Sequence, residues 1–294
     1  MPPALEDGKR LSRNPHPGPL PKGEGVYTGV LLVGHGTRSE LGRRQCQALA
    51  DAIAAGLDLR LFAVELAFLE MASPTIEAGV TRLVQQQIER MIVMPLLLFA
   101  AGHAKEDIPA AVRRALAAAN APELPMVQTE PLGLQEAVIE LAAARFREAA
   151  DPQTALSDTC LLLIGRGSRD VEATAEMRQL GELLHQRLGI GQTQVGFLAM
   201  AEPSAQDIIQ VATINNYRQI VVQPHLLFHG ELLDRLQQNI ETAATSVPEK
   251  AWRIGRVLGE EPKPLAQILL QAILSAGNCS KGAPRSKAGD ITSR

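Results

Sequence analysis

The chain has 294 residues, of which 46% are hydrophobic, and this is enough to build the cores of two ordinary domains. The formal net charge of −3 gives no basic surface for nucleic acid, so we expect no nucleic-acid partner. No stretch reaches the roughly 20 apolar residues that cross a bilayer, and the three cysteines form no CxxC motif, so we predict a soluble, cytoplasmic protein with reduced thiols and no membrane partner.

Both ends of the chain are predicted to be disordered. Residues 1–25 are rich in proline and glycine and lack the apolar segment of a signal peptide, so we interpret them as a disordered leader. Residues 277–294 are polar and rich in turn-forming residues, and we expect a disordered tail there.

Between these ends, apolar strands alternate with helical patterns. The first strand runs from Tyr27 through Val33 and is followed by a Gly-His-Gly turn and a helix over about Glu40–Ala55. Three more units follow, with strands at 60–68, 90–98 and 125–128 and helices at 75–87, 105–119 and 134–149. Ser73 and Pro74 are predicted to begin the second helix. This alternation predicts an α/β fold in which a small parallel β-sheet is flanked by helices.

The same order of elements recurs after a polar linker at residues 151–158. Three segments of the first half reappear in the second: 30–39 at 161–170, 67–75 at 196–204, and 93–102 at 221–230. Pro203 lies 129 residues after Pro74, and Pro224 lies 129 residues after Pro95. We therefore predict two tandem domains, at residues 26–150 and 159–276, built from one repeated unit.

The two copies differ at the positions that can carry chemistry. The first copy has His35, Glu70 and His103, each in the loop that follows a strand. The second copy has other residues at the corresponding positions: Arg166, Ala199 and Leu232. We therefore predict that the first domain carries the active site and that the second is a degenerate copy that forms a wall or a lid.

His35, Glu70 and His103 are predicted to lie close together, since the loops at the carboxyl ends of parallel strands meet at one edge of a sheet. Two imidazoles and a carboxylate can bind a divalent transition metal and leave coordination positions open. A histidine that does not hold metal can also act as a general base near neutral pH. Taken singly, His35 could satisfy backbone groups of its turn and Glu70 could interact with a helix dipole. Their joint placement favours a metal site.

Three motifs in this order, VGHGTR, ELAFLE followed by PTI, and VMPLLLFAAGHAKEDIP, resemble the sirohydrochlorin chelatases of the class II chelatase superfamily. The resemblance covers Tyr27 to about Ala149, and the tandem repeat resembles the long, two-repeat members. It implies insertion of Co²⁺ or Fe²⁺ into sirohydrochlorin, in cobalamin or siroheme biosynthesis. It also implies that His35, Glu70 and His103 bind the metal, and that the two histidines serve proton removal.

The expected enzyme is a lyase that needs neither ATP nor a permanently bound cofactor. A nucleotide-driven chelatase would need a phosphate-binding loop, and the sequence has no GxxxxGK(S/T) motif. The divalent metal is a substrate, and the same ligand types accept Co²⁺, Fe²⁺ and Ni²⁺. We expect a monomer, because two repeats in one chain can mimic the dimer of a single-repeat ancestor.

Cationic and imidazole side chains are candidates for binding the carboxylates of such a tetrapyrrole. Arg38 and Lys105 stand beside the helix N-termini that follow the first and third strands, although both could be solvated surface charges. Arg166 has a planar guanidinium group that suits a carboxylate. His225 and His229 could contact the substrate or an incoming metal if they face a cleft between the domains.

Two other functions remain open from the sequence. A non-catalytic tetrapyrrole or metal carrier could hold the same ligands without turnover. Histidine-nucleophile phosphatases also begin with a strand and a His-Gly turn, but an arginine immediately precedes their histidine. Gly34 occupies that position here, and it offers no guanidinium for phosphate.

Overall fold

The structure is a computed structural model that describes residues 26–100 and 102–279, without the side chains of His103, Asn278 and Cys279. The predicted leader at residues 1–25 lies outside the described residues, as does the predicted tail from residue 280 onward. In the described part of the chain, no helix has the length and apolar content needed to cross a membrane.

The first sheet has four parallel strands in the order β2-β1-β3-β4. The strands are β1 (Thr28–Gly34), β2 (Phe62–Phe68), β3 (Arg90–Leu96) and β4 (Met126–Gln128). The helices are α1 (Glu40–Ala55), α2 (Ile76–Gln85), α3 (Ile108–Ala118) and α4 (Glu136–Ala149). Alternate residues of β1 enter two cores, Val30 and Leu32 on one face and Leu31 and Val33 on the other. Burial on both faces explains why the centre of β1, Val30–Val33, is a continuous apolar segment.

The second sheet repeats this arrangement in the order β6-β5-β7-β8. Its strands are β5 (Thr159–Gly165), β6 (Gln192–Phe197), β7 (Gln219–Pro224) and β8 (Ala251–Ile254). Its helices are α5 (Val171–Leu188), α6 (Ala205–Ile214), α7 (Glu231–Ser246) and α8 (Pro262–Cys279). Two parallel sheets with the same strand order and flanking helices confirm the predicted α/β class.

The repeat extends to the backbone of the loops after β2 and β6. Both loops contain a cis peptide bond, at Ser73–Pro74 and at Glu202–Pro203. Met71 and Met200 both adopt a positive φ, of 59° and 61°. The two copies therefore keep the same loop geometry where their chemistry has diverged.

Several predicted boundaries differ from the structure by one or two residues, and three differ for identifiable physical reasons. Ser73 does not cap α2; the cap is Thr75, whose hydroxyl accepts a hydrogen bond from the Ala78 amide at 3.3 Å, because the chain is still in the loop at the cis bond. The third helix does not begin at Lys105, since residues 103–107 form a π-helical turn before α3. The predicted tail begins inside α8, which continues to Cys279; Arg90 donates to the Gly277 carbonyl at 2.7 Å and supports this end.

The fourth helix of each half packs across the boundary between the halves. Helix α8 contacts α1 and β3, whereas α4 contacts α5 and β7. Arg145 of α4 is 1% exposed and pairs with Glu148 at 2.9 Å and with Glu261, which precedes α8, at 3.5 Å. One hydrophobic core accordingly contains side chains from both sheets. The division into domains at 26–150 and 159–276 stays a prediction, since each half is completed by a helix from the other.

Candidate active site

The carboxyl ends of the two sheets face a common cleft of about 710 Å³. The loops after β1, β2 and β3 form one wall, and the loops after β5, β6 and β7 form the other. Ligands of open parallel sheets bind at this edge of the strands. The volume lies in the range of about 300–1,000 Å³ that is typical of small-molecule sites.

His35 and Glu70 are in direct contact in this cleft, with His35 Nε2 and Glu70 Oε1 at 3.1 Å. The backbone fixes the two loops together, since Leu69 donates to the Gly34 carbonyl at 2.9 Å and Glu70 donates to the His35 carbonyl at 3.1 Å. Gly36 has a φ of 107°, and a Cβ there would lie 1.8 Å from the Glu70 carbonyl oxygen. Only glycine allows this approach. The structure thus brings together the first two predicted metal ligands.

His103 begins the π-helical turn that follows β3. Its side chain lies outside the described part of the structure, so its role as a ligand stays a prediction. The neighbouring Gly102 and Asp107 line the cleft, and Gln128 Nε2 donates to the Ala104 carbonyl at 2.7 Å, which anchors the turn to the end of β4. Among the side chains that are described, no group of three or more potential metal ligands is present.

Arg166 reaches from the second half to the first, with Nη2 at 3.3 Å from His35 Nε2. Its loop repeats the geometry around His35, because Ala199 donates to the Arg166 carbonyl at 2.9 Å. A Cβ on Gly167, whose φ is 89°, would lie 1.7 Å from the Ala199 carbonyl oxygen. Arg166 therefore occupies in its own half the place of His35, and it projects into the shared cleft.

The two other predicted cationic groups have different surroundings. Arg38 is exposed and lines the cleft. Lys105 is not among the cleft-lining residues; its Nζ lies 2.7 Å from Glu172 Oε2 and 3.5 Å from Asp170 Oδ2, at the start of α5. The hydrogen bond to Glu172, together with the charges of both carboxylates, raises the pKa of Lys105. Lys105 is thus already paired within the protein and links the turn after β3 to the second half.

His225 is buried at the cleft, with 1% of its surface exposed. Both ring nitrogens are buried and have no hydrogen-bond partner among the described residues. The ring packs 5.8 Å from the ring of Phe99, and burial lowers the pKa of His225 to about 3. The side chain is therefore neutral at physiological pH and presents neither ring nitrogen to the cleft in this conformation.

His229 connects the halves at the rim of the cleft. Its Nε2 lies 3.4 Å from Asp234 Oδ1, and its Nδ1 lies 3.4 Å from the hydroxyl of Ser39. Its backbone amide donates to Gln45 Oε1 at 2.8 Å. A Cβ on Gly42 would lie 2.2 Å from the His229 carbonyl oxygen, so this glycine permits α1 to approach the loop. The contacts to Ser39, Gln45 and Gly42 were not predicted, because nothing local in the sequence signals contacts between the halves.

Cys46 lines the cleft from α1 and is 2% exposed. Burial raises the pKa of its thiol to about 12. The side chain of Cys46 belongs to the hydrophobic core behind this wall, so Cys46 is a packing residue.

Comparison with known proteins identifies the family. A sequence model of the CbiX family matches the chain twice, at residues 29–149 and 160–276. The sirohydrochlorin ferrochelatase of Priestia megaterium is 31% identical over 220 residues, which is 75% of this chain and 80% of that protein. The sirohydrochlorin cobaltochelatase of the same organism is 26% identical over 235 residues, which is 80% of this chain and 75% of that protein.

Solved structures agree in fold. SirB from Bacillus subtilis with Fe³⁺ superposes with a TM-score of 0.76 at 24% identity and covers 87% of this chain and 98% of its own. CbiX, described as the terminal enzyme of siroheme biosynthesis in denitrifying bacteria, superposes with a TM-score of 0.60 at 21% identity and covers 84% of this chain and 99% of its own. The resemblance found in the sequence motifs is confirmed: the chain belongs to the CbiX family.

Proposed function

We propose that this protein is a lyase that inserts Co²⁺ or Fe²⁺ into sirohydrochlorin without ATP. The observation that carries the proposal is the contact of His35 Nε2 with Glu70 Oε1, at 3.1 Å in a cleft of about 710 Å³. Relatives named sirohydrochlorin ferrochelatase and sirohydrochlorin cobaltochelatase support this substrate and both metals.

Metal insertion requires a base and exchangeable ligands. The inner N–H protons of the macrocycle must leave while the metal sheds water and enters. An imidazole and a carboxylate suit Co²⁺ and Fe²⁺ and release them more readily than a thiolate cage would. Glu70 is 52% exposed, so a metal with part of its water shell can reach it, whereas His35 is 16% exposed and held in place. His103 completes the proposed set as a second imidazole and a second base.

The substrate carries many carboxylates, and the cleft offers arginines to receive them. We propose that Arg38 and Arg166 bind these carboxylates, because both residues line the cleft. Lys105 contributes by holding the turn after β3 against α5. His229 lies at the rim and could contact the macrocycle edge, whereas His225 supports the wall through packing.

The metal that is inserted determines the biosynthetic pathway. Insertion of Fe²⁺ belongs to siroheme biosynthesis and insertion of Co²⁺ to cobalamin biosynthesis, and relatives of both kinds exist. We place the protein in the cytoplasm, where the free thiols of Cys46 and Cys160 stay reduced. The pairing of both sheets within one chain supports a monomer, and light scattering tests this.

The test is an anaerobic assay with purified protein and sirohydrochlorin, in which the macrocycle absorbance is followed after addition of Co²⁺, Fe²⁺ or Ni²⁺. We expect insertion well above the uncatalysed rate, and a loss of roughly 100-fold or more in His35→Ala, the order of effect of removing a positioned base. Rates equal to the uncatalysed reaction would refute the proposal. Stoichiometric tetrapyrrole or metal binding without insertion would identify a carrier instead.

A further inference from the structure

One nitrogen atom in the cleft has two partners that cannot both bind it. His35 Nε2 lies 3.1 Å from Glu70 Oε1 and 3.3 Å from Arg166 Nη2. A ring nitrogen carries either a hydrogen, which it donates, or a lone pair, which accepts. An ionised carboxylate only accepts and a guanidinium only donates. Glu70 and Arg166 therefore compete for His35 Nε2.

The same nitrogen is the one that an incoming metal would use. The Nδ1 atom of His35 is buried, so Nε2 is the ring nitrogen on the side of the cleft. A metal bound there takes the lone pair that a guanidinium needs as its acceptor. The positive charge of Arg166 would also repel a cation at that short distance. Arg166 and a metal ion thus exclude each other at His35.

Among the described residues, Arg166 makes none of the ion pairs that hold other cationic side chains. Lys105 and Arg256 are each paired with carboxylates, but no carboxylate lies within ion-pair distance of Arg166 among the residues that the structure describes. Arg166 is also exposed, on a loop that lines the cleft. Its planar guanidinium group can therefore donate hydrogen bonds to a carboxylate that enters with the macrocycle. A carboxylate is a stronger hydrogen-bond acceptor for this group than a neutral imidazole.

We propose that Arg166 is a positioning residue that covers His35 Nε2 until a carboxylate of the tetrapyrrole draws its guanidinium away. The metal then reaches the histidine only after the macrocycle is in place. The copy of the repeat that lacks metal ligands thereby sets the order in which the two substrates bind. This inference rests on the proposed function, because it takes the anionic macrocycle as the second ligand.

The test measures binding of each substrate alone, so it does not depend on turnover. Co²⁺ is titrated by calorimetry into the wild-type protein and into Arg166→Met, which keeps the side-chain length and removes the donor. We expect roughly tenfold tighter Co²⁺ binding, the order of effect of one hydrogen bond to a charged group. Sirohydrochlorin alone, followed by its fluorescence, should bind roughly tenfold more weakly to Arg166→Met for the same reason.

Arg169→Met is the matched control. Arg169 lies on the same loop and lines the same cleft, and within the described residues it makes no ion pair or side-chain hydrogen bond. Arg169→Met removes the same charge, so it measures the general electrostatic effect on Co²⁺ binding. We expect the Co²⁺ affinity to change less than about threefold, because exposed charges are screened by salt. In the double variant His35→Ala/Arg166→Met, the gain in Co²⁺ affinity should vanish.

Co²⁺ binding to Arg166→Met that is no tighter than to Arg169→Met would overturn the inference. Arg166→Ala provides a second variant, and circular dichroism verifies the fold of each. If the wild-type protein inserts no metal but Arg166→Met still gains Co²⁺ affinity, the proposed function fails while the competition at His35 stands. If insertion occurs and the gain is absent, only the role of Arg166 fails.

Discussion

The Nη2 atom of Arg166 lies 3.3 Å from the Nε2 atom of His35, although these residues occupy equivalent positions in the two copies of the repeat. The two loops have the same backbone pairing, Glu70 to His35 in one copy and Ala199 to Arg166 in the other. The second copy therefore places a guanidinium, at the position equivalent to His35, against the imidazole of the first copy. The second half takes part in the site of the first.

We expect His103→Ala to lower the rate of metal insertion by roughly 100-fold or more, because it removes one of the proposed imidazole ligands and one of the proposed bases. His185→Ala is the matched control. His185 is exposed on α5, and its Nδ1 lies 3.5 Å from the hydroxyl of Thr193. Initial rates with Co²⁺ measure both variants. Equal losses in the two would show that the assay reports general damage, and an unchanged rate in His103→Ala would exclude this residue from the site.

Gly36 and Gly167 occupy equivalent positions in the two copies, and replacing them tests the contact of each with the loop after β2 or β6. Gly36→Ala and Gly167→Ala place a Cβ at 1.8 Å and 1.7 Å from a backbone carbonyl oxygen, so each should destabilise the protein by about 1–3 kcal/mol. Only Gly36→Ala displaces Glu70, and only this variant should bind Co²⁺ more weakly. Urea unfolding and calorimetry separate the two effects. A loss of Co²⁺ affinity in Gly167→Ala as large as that in Gly36→Ala would contradict the assignment of Glu70 as a ligand.

His225→Leu should leave metal insertion largely intact and raise the free energy of unfolding by about 1 kcal/mol, because it removes two buried nitrogens that have no hydrogen-bond partner within the described part of the chain. The gain should grow in acid. Burial lowers the pKa of His225 from 6.5 to about 3, so the unfolded chain binds this proton below pH 6.5 and the folded chain does not.

The histidine therefore destabilises the wild-type protein as the pH falls from about 6.5 towards about 3, with a slope that approaches about 1.4 kcal/mol per pH unit. Urea unfolding of both proteins between pH 7 and pH 5 measures the difference, and effects of other groups cancel in it. A difference that stays constant across this range would show that the His225 imidazole is solvated in the folded protein. The variant His225→Ala should likewise keep most of the metal-insertion activity.

The ion pair between Lys105 and Glu172 can be tested by exchanging its charges. Lys105→Glu opposes two carboxylates, Glu172 and Asp170, so the turn after β3 should lose its link to α5 and the KM for sirohydrochlorin should rise several-fold. Lys105→Glu combined with Glu172→Lys should restore part of this loss. If Lys105 binds a substrate carboxylate instead, the double variant would be no better than the single one.

The strands, most helices and the contact between the loops that carry His35 and Glu70 could be predicted from the sequence. Continuous apolar segments indicate strands buried on both faces, and the topology of parallel sheets then brings His35 and Glu70 to one edge. The exchange of α4 and α8 could not be predicted in this way. Helical periodicity identifies the face that is buried, but an apolar face of this kind can pack on either sheet.

Local sequence patterns also could not predict which groups the individual polar side chains contact. Lys105 lies near a predicted helix N-terminus, so it was a candidate for binding a substrate carboxylate. In the structure it pairs with Glu172, which lies 67 residues away in the other half. The apolar surroundings of His225 have the same origin, since Phe99 comes from the first half. Contacts between the copies depend on how the sheets face each other, which residue spacing does not encode.

The exchanged fourth helices make the halves inseparable. A fragment that ends at residue 150 would carry α4 without the sheet on which it packs, and it would leave the apolar surface of α1 and β3 bare. Such a single copy needs a second copy to cover it, as in a dimer with swapped termini. In this chain the second copy covers that surface within one polypeptide, so neither copy can be removed without exposing apolar surface of the other.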